Sequence, residues 1–232
     1  TVFVAAELPA YVLLLEGREP GLRWLIKPHP AARLSPSPLP CPGWVAVLPP
    51  GQRIMNYPTD LWSYHWLLAL GACRAGVTEA GELAVYPLPG SGALVIVGAS
   101  AYPAGRAWAE QVVAAGPEAL LPETRRYWQA HMQRWLAARP LTAEPEPPAA
   151  GALDSVAVLL KAQQARSGGV MAGHHYALAY VRDQYGAVRG MLSLGMMEEA
   201  RQNLAFRSSK FERFGTLQTA EAMGTDCARH VH

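Results

Sequence analysis

Near residue 103 the hydrophobic pattern changes period, and this change limits the chain to a strand-forming region followed by a helix-forming one. Before it, residues 2–6, 11–15, 23–26, 44–48, 82–86 and 93–97 are short apolar runs bounded by Gly and Pro, the pattern of buried strands. Residues 88–93, Leu-Pro-Gly-Ser-Gly-Ala, read as a hairpin connection between the last two runs. A β-sandwich-like domain over residues 1–102 is therefore expected.

Two segments interrupt that pattern. Eight prolines lie between residues 28 and 50. Because proline has no amide hydrogen to give a ladder, they predict a loop over the β layer and exclude a central strand through the proline cluster. Residues 61–76, LWSYHWLLALGACRAG, follow Thr59-Asp60 as a possible cap and carry Leu61, His65 and Leu68 at helical spacing. A helix is expected there, with a strand as the alternative because of the aromatic content.

After residue 103 the spacing is helical. One helix is expected over 104–115, closed by Gly116, then a short turn at Pro117. A second is expected from Pro122 to about Ala138, with Trp128, Met132 and Trp135 on its packed face and Arg125, Arg126 and Arg134 toward water. Residues 139–151, RPLTAEPEPPAAG, carry four prolines and two glutamates and read as a linker, so residues 103–151 are assigned to linker helices and a Pro-rich linker.

Residues 152–232 read as helices. The first begins near Asp154-Ser155, turns Val156, Leu159, Leu160 and Gln163 inward, and stops at Ser167-Gly168-Gly169. The second runs from about Arg182 to Gly195 and buries Tyr185, Val188 and Leu192. The third places Glu198 and Glu199 in its electropositive first turn and Ala200, Leu204 and Phe211 inward, so Gly195 closes a tight αα hairpin. About eighty residues is near the lower limit for an independent core, which favours a reading of the chain as part of something longer.

Composition narrows the function classes. Half of the residues are apolar and 16% charged, which describes a globular chain. The net charge of +2 is spread without basic runs, so nucleic acid is not an expected partner. No apolar stretch reaches the roughly 18 residues of a membrane span, so no membrane partner is expected and a soluble chain is; its compartment stays open, with the cytoplasm favoured. Cys41, Cys73 and Cys227 form no CxxC pair and are expected to be free thiols. Cys227, His230 and His232 have no second cluster to complete a metal site, so neither metal nor cofactor is expected.

The residues that suggest chemistry lie in GGVMAGHHYALAYVRDQYGAVRGMLSLGMMEEA, residues 168–200. A Gly-rich turn leads to an aromatic stretch and then to Arg182-Asp183 at a helix start. Asp183 suits that place as a cap or as an anion at the positive helix end. Arg182 does not, since a cation there needs a carboxylate or a ligand to answer it. A guanidinium that donates beside a carboxylate that accepts can hold the vicinal hydroxyls of a sugar, and Tyr176, Tyr180 and Tyr185 offer flat apolar faces to its ring. His175 could contact a hydroxyl, whereas His174 and His175, being adjacent, diverge as co-ligands.

This stretch resembles the beginning of the catalytic domain in glucoamylase-like glycoside hydrolases, the six-hairpin glycosidases built on an (α/α)6 toroid. The order of Gly-rich turn, aromatic strand, "RD" and then LGMMEEA, residues 194–200, is similar to theirs, as is a β domain with linker helices before the toroid. The resemblance departs at Tyr180, where the family usually has Trp. It implies that the chain is part of an enzyme that hydrolyses α-glycosidic bonds, with carbohydrate as substrate and the remainder of the toroid as a partner. By it Arg182 and Asp183 would hold hydroxyls of the innermost sugar, with Tyr180, Tyr176 and His175 also on the substrate side. Such enzymes use two carboxylic groups as acid and base. The resemblance puts both in later toroid helices, so Glu221 and Asp226 are not assigned as catalytic. A non-catalytic carbohydrate- or protein-binding module, and a phosphorylase or lyase on the same scaffold, are the alternatives.

Overall fold

The computed structural model describes residues 1–16, 23–54, 57–58, 62–138, 147–172, 178–217 and 220–221. The strand-rich region forms β1 (Val2–Val4), β2 (Ala10–Glu16), β3 (Trp24–Ile26), β4 (Arg33–Pro36), β5 (Gly43–Leu48), β6 (Arg53–Ile54), β7 (Tyr57–Pro58), β8 (Ser63–Val77) and β9 (Leu83–Ala99). The helix-rich region follows as α1 (Tyr102–Ala115), α2 (Pro117–Ala138), α3 (Pro147–Ala162), β10 (Ala179–Tyr180), α4 (Val181–Ser193), α5 (Met197–Phe214) and β11 (Ala220–Glu221). The fold is α+β. By internal contacts the chain divides into two units, Thr1–Arg126 and Tyr127–Cys227, and the division falls within α2.

In the first unit seven strands make one antiparallel sheet of order β1-β2-β9-β8-β5-β4, with β3 also paired to β9. All six apolar runs read as strands lie in it. The Pro-rich segment supplies β4 at the sheet's edge, where missing amide donors are tolerated.

Two expectations are corrected here. Residues 63–77 are the long strand β8, not a helix, pairing with β5 on one side and β9 on the other. Both faces of this strand are covered: Trp66, Leu68 and Leu70 belong to one core, and Leu67, Ala69 and Cys73 to another. A run buried on both faces loses its alternation and cannot be told from a helix by period alone. The proposed cap, Thr59-Asp60, and Leu61 lie outside the described residues.

The second correction is Leu88-Pro-Gly-Ser-Gly-Ala, which lies inside β9 and connects no hairpin. Its glycines serve a β-bulge between Gly71 and Cys73 of the facing strand. A Cβ on Gly92 would stand 2.8 Å from the Ala72 carbonyl oxygen, and one on Gly71, at φ 69°, would stand 2.6 Å from that of Ser91. The composition that suggests a turn here permits a close backbone approach within a ladder.

Helix α1 covers one sheet face with Ala109 and Val112, both fully buried. Its approach depends on Gly105, whose Cβ would fall 2.1 and 2.6 Å from Trp66 ring carbons and 2.8 Å from the Ala99 Cβ. Gly105→Ala is accordingly expected to destabilise this unit by about 1–3 kcal/mol, the cost of overpacking a filled core, read as a lower midpoint in urea unfolding.

In the second unit α4 and α5 pack on each other across a short connection. Gly195 at φ 75° and the bond from the Met196 amide to the Met191 carbonyl (2.8 Å) make that turn, so the expected αα hairpin is present. Trp135 of α2 donates its indole N–H to the Leu194 carbonyl at 2.9 Å and shares a core with Ala157, Val170, Met191, Met196 and Ala200. Helix boundaries shift from expectation: α2 begins at Pro117, so Pro122 lies inside it, and α3 begins at Pro147, inside the segment read as linker. Residues 139–146 lie outside the described residues.

The inward faces are corrected further. Leu159, Tyr185, Leu204 and Phe211 are 58%, 65%, 58% and 55% exposed, and Val156 and Leu192 are also exposed. The buried stripes pass instead through Ala157 on α3, Gln184 and Met191 on α4, and Ala200, Asn203 and Phe206 on α5. Small and polar residues occupy the inner side because a hydrogen-bonded network lies there.

Candidate functional site

That network is built around the Gly-rich turn after α3. The Gly168 carbonyl accepts from Asn203 Nδ2 at 3.0 Å and from Gln164 Nε2 at 3.3 Å. Gln164 Nε2 also donates to the Glu199 carbonyl at 2.8 Å. Gln184 closes the set: its Oε1 accepts from the Val170 amide at 2.8 Å and from Asn203, and its Nε2 donates to the Val170 carbonyl. Gln164, Gln184 and Asn203 are all buried, so each bond is made where water cannot substitute.

A charged cluster lies beside it. Glu199 Oε1 is 3.4 Å from Lys161 Nζ and 3.5 Å from His131 Nδ1, with His131 and Glu199 buried and Lys161 nearly so. The hydrogen bond from His131 is the largest influence holding the Glu199 carboxyl at about 2. Its own backbone amide and the charge of Lys161 act in the same direction, against burial. His131 donates from Nδ1, and its Nε2 is buried without a hydrogen-bond partner among the described residues. Among those residues no His, Cys, Asp or Glu grouping could hold a metal.

Gln184 directly follows Arg182 and Asp183. The last residue before α4 is Tyr180, half-buried in the two-residue ladder of β10 with β11 and making no side-chain cap bond. Asp183 is thus no cap; it sits in the first turn, exposed, where its charge faces the positive helix end. Arg182 is exposed beside it, and among the described residues neither side chain has a hydrogen bond or ion pair. Behind them the Gln184 amide fixes the helix start to Val170, and Arg207 fixes β10 through the Ala179 carbonyl at 3.1 Å. The pair is exposed on a backbone that buried bonds hold in place.

Tyr180, Arg182 and Asp183 lie together at the cap and in the first turn of α4, as their places in the sequence require. His175 and Tyr176, like His174, Asp226, Cys227, His230 and His232, lie outside the described residues, whereas Glu221 falls in β11. Arg189 lies over the ring of Tyr185 at 5.6 Å, one turn further along α4. Sequence reasoning missed Gln164, Gln184, Asn203, His131 and Lys161. For Gln184 and Asn203 a signal existed, since each is a polar residue in phase with the apolar stripe of its helix.

No protein-family model matches the chain, and no curated protein or solved structure matches it either. Among the described residues no helix is long and apolar enough to cross a membrane.

Proposed function

We propose that this chain is the recognition part of a carbohydrate-active enzyme that hydrolyses α-glycosidic bonds, with Arg182 and Asp183 holding hydroxyls of the innermost sugar. The observation that carries the reading is the unanswered cation: Arg182 stands exposed in the first turn of α4, where the helix end disfavours it, with no ion pair among the described residues. A neutral diol accepting from the guanidinium and donating to the Asp183 carboxylate would satisfy both groups at once.

On this reading the sheet unit is a β-sandwich domain and α4–α5 the first hairpin of an (α/α)6 toroid, with acid and base on helices still to come. The exposed apolar side chains Tyr185, Leu192, Leu204 and Phe211 support it, because a helical hairpin completed by further hairpins would cover such residues.

The test is binding of maltotriose, followed by calorimetry. Arg182→Ala and Asp183→Ala are each expected to weaken it about tenfold or more, since a charge-assisted hydrogen bond is lost at an exposed position that leaves the fold intact. Equal affinity in parent and variants would overturn the proposal.

A further inference from the structure

An aromatic strip runs along the first unit from the sheet core to the surface. Tyr64 and Trp66 alternate at the start of β8 and so lie on one face of the strand, and Trp62, just before it, packs its ring on that of Tyr64. Trp66 is fully buried and seated against Gly105. Tyr102, at the first position of α1, rests on it with ring centroids 5.2 Å apart and meets Tyr64 edge-on at 5.7 Å. Trp62 continues the strip, offset-stacked on Tyr64 at 6.3 Å with 22° between the planes. Trp62 is 47% exposed and Tyr102 37%, while Tyr64 is half-buried between them.

The core needs Trp66 and the sheet-facing side of Tyr102. It does not need Trp62, which adds a large ring beyond the last buried residue and leaves nearly half of it in water. Each ring of the strip packs on the next, and the series ends on a buried indole. It is also amphipathic: every ring has an apolar face and a polar N–H or O–H at its tip. A pyranose ring has the matching character, with a flat C–H face and a rim of hydroxyls, whereas an aliphatic protein surface would leave the polar tips without partners.

We infer that Trp62, Tyr64 and Tyr102 form a second carbohydrate-binding site, in the sheet unit, that stacks sugar rings of a polymeric α-glucan. The ligand class rests on the function proposed above; the site does not share residues with it. Its role would be to hold the polymer, with the Arg182–Asp183 pair engaging a chain terminus or short oligosaccharide.

Co-sedimentation of the 232-residue chain with insoluble amylose tests the inference. The parent is expected to sediment. Trp62→Ala is expected to bind about tenfold more weakly with an unchanged melting curve, and Trp62→Tyr, which keeps a ring with a polar tip, to stay within about threefold of the parent. Parent chain that stays in solution, or Trp62→Ala that sediments like the parent, would overturn the site. Arg182→Ala should still sediment while losing maltotriose. If it keeps maltotriose, the proposed function fails, and sedimentation that depends on Trp62 would stand without it.

Discussion

Gly168→Ala is expected to destabilise the helical unit by about 3–5 kcal/mol, enough to leave a domain of ordinary stability largely unfolded. Two independent costs meet at this residue. Its φ of 97° lies in the region that side chains rarely adopt, and a Cβ would fall 2.1 Å from the Gln202 carbonyl oxygen and 2.6 Å from its carbon. Those atoms are the backbone of α5, so no side-chain rotation relieves the contact. The turn also cannot retreat, because the Gly168 carbonyl accepts from Asn203 and Gln164 and its amide donates to the Ala165 carbonyl at 2.9 Å. Gly186→Ala is the control: it lies within α4 with nothing within 4 Å of its Cβ, and the change is expected to stabilise by about 0.5–1 kcal/mol. Circular dichroism during urea unfolding of both variants checks the pair. A Gly168→Ala midpoint equal to that of the parent would mean that the turn and α5 are not packed as described.

The same turn shows how far the sequence could be read. Ser167-Gly168-Gly169 was legible as a stop, because a glycine pair after a helical run is a local signal. That Gly168 must lie against the backbone of α5, thirty-five residues on, was not, since no local pattern encodes that approach. Strands bounded by Pro and Gly were legible for the same local reason. Strand β8 was not, because burial on both faces erased its alternation, and the glycines of β9 suggested a turn when their use is a bulge. In the helices, element positions were legible but their faces were rotated. Choosing Leu204 and Phe211 as inward follows hydrophobicity, yet the stripe of α5 runs through Ala200, Asn203 and Phe206, where small size and an amide matter more than apolar area. At the candidate site the sequence singled out Arg182 and Asp183, and it was silent on the buried amides that hold them.

Glu199 carries the second large effect, and its sign follows from the direction of its shift. The carboxyl is held at about 2, below its ordinary value of 4.5, so the folded state favours the ionised form. Its contribution is fully present above pH 4.5, shrinks as pH falls, and is lost once pH passes about 2. The shift corresponds to at most about 3 kcal/mol. Glu199→Gln keeps the shape but removes the charge that answers Lys161 and that accepts the hydrogen bond from His131, and it is expected to cost a similar amount at pH 7. The variant should also lose most of the parent's slope of stability against pH between 4.5 and 2. Urea unfolding of parent and variant at pH 7, 4 and 3 measures both quantities. Lys161→Met separates the partners. If its effect and that of Glu199→Gln are much less than additive in the double variant, the Lys161 pair carries the energy; simple additivity would assign it to His131. Because the Glu199 backbone carbonyl also accepts from Gln164, loosening this carboxylate should loosen the turn that positions α4. The prediction therefore extends to maltotriose binding, which should weaken in Glu199→Gln at pH 7, although Glu199 lies buried and Arg182 does not change.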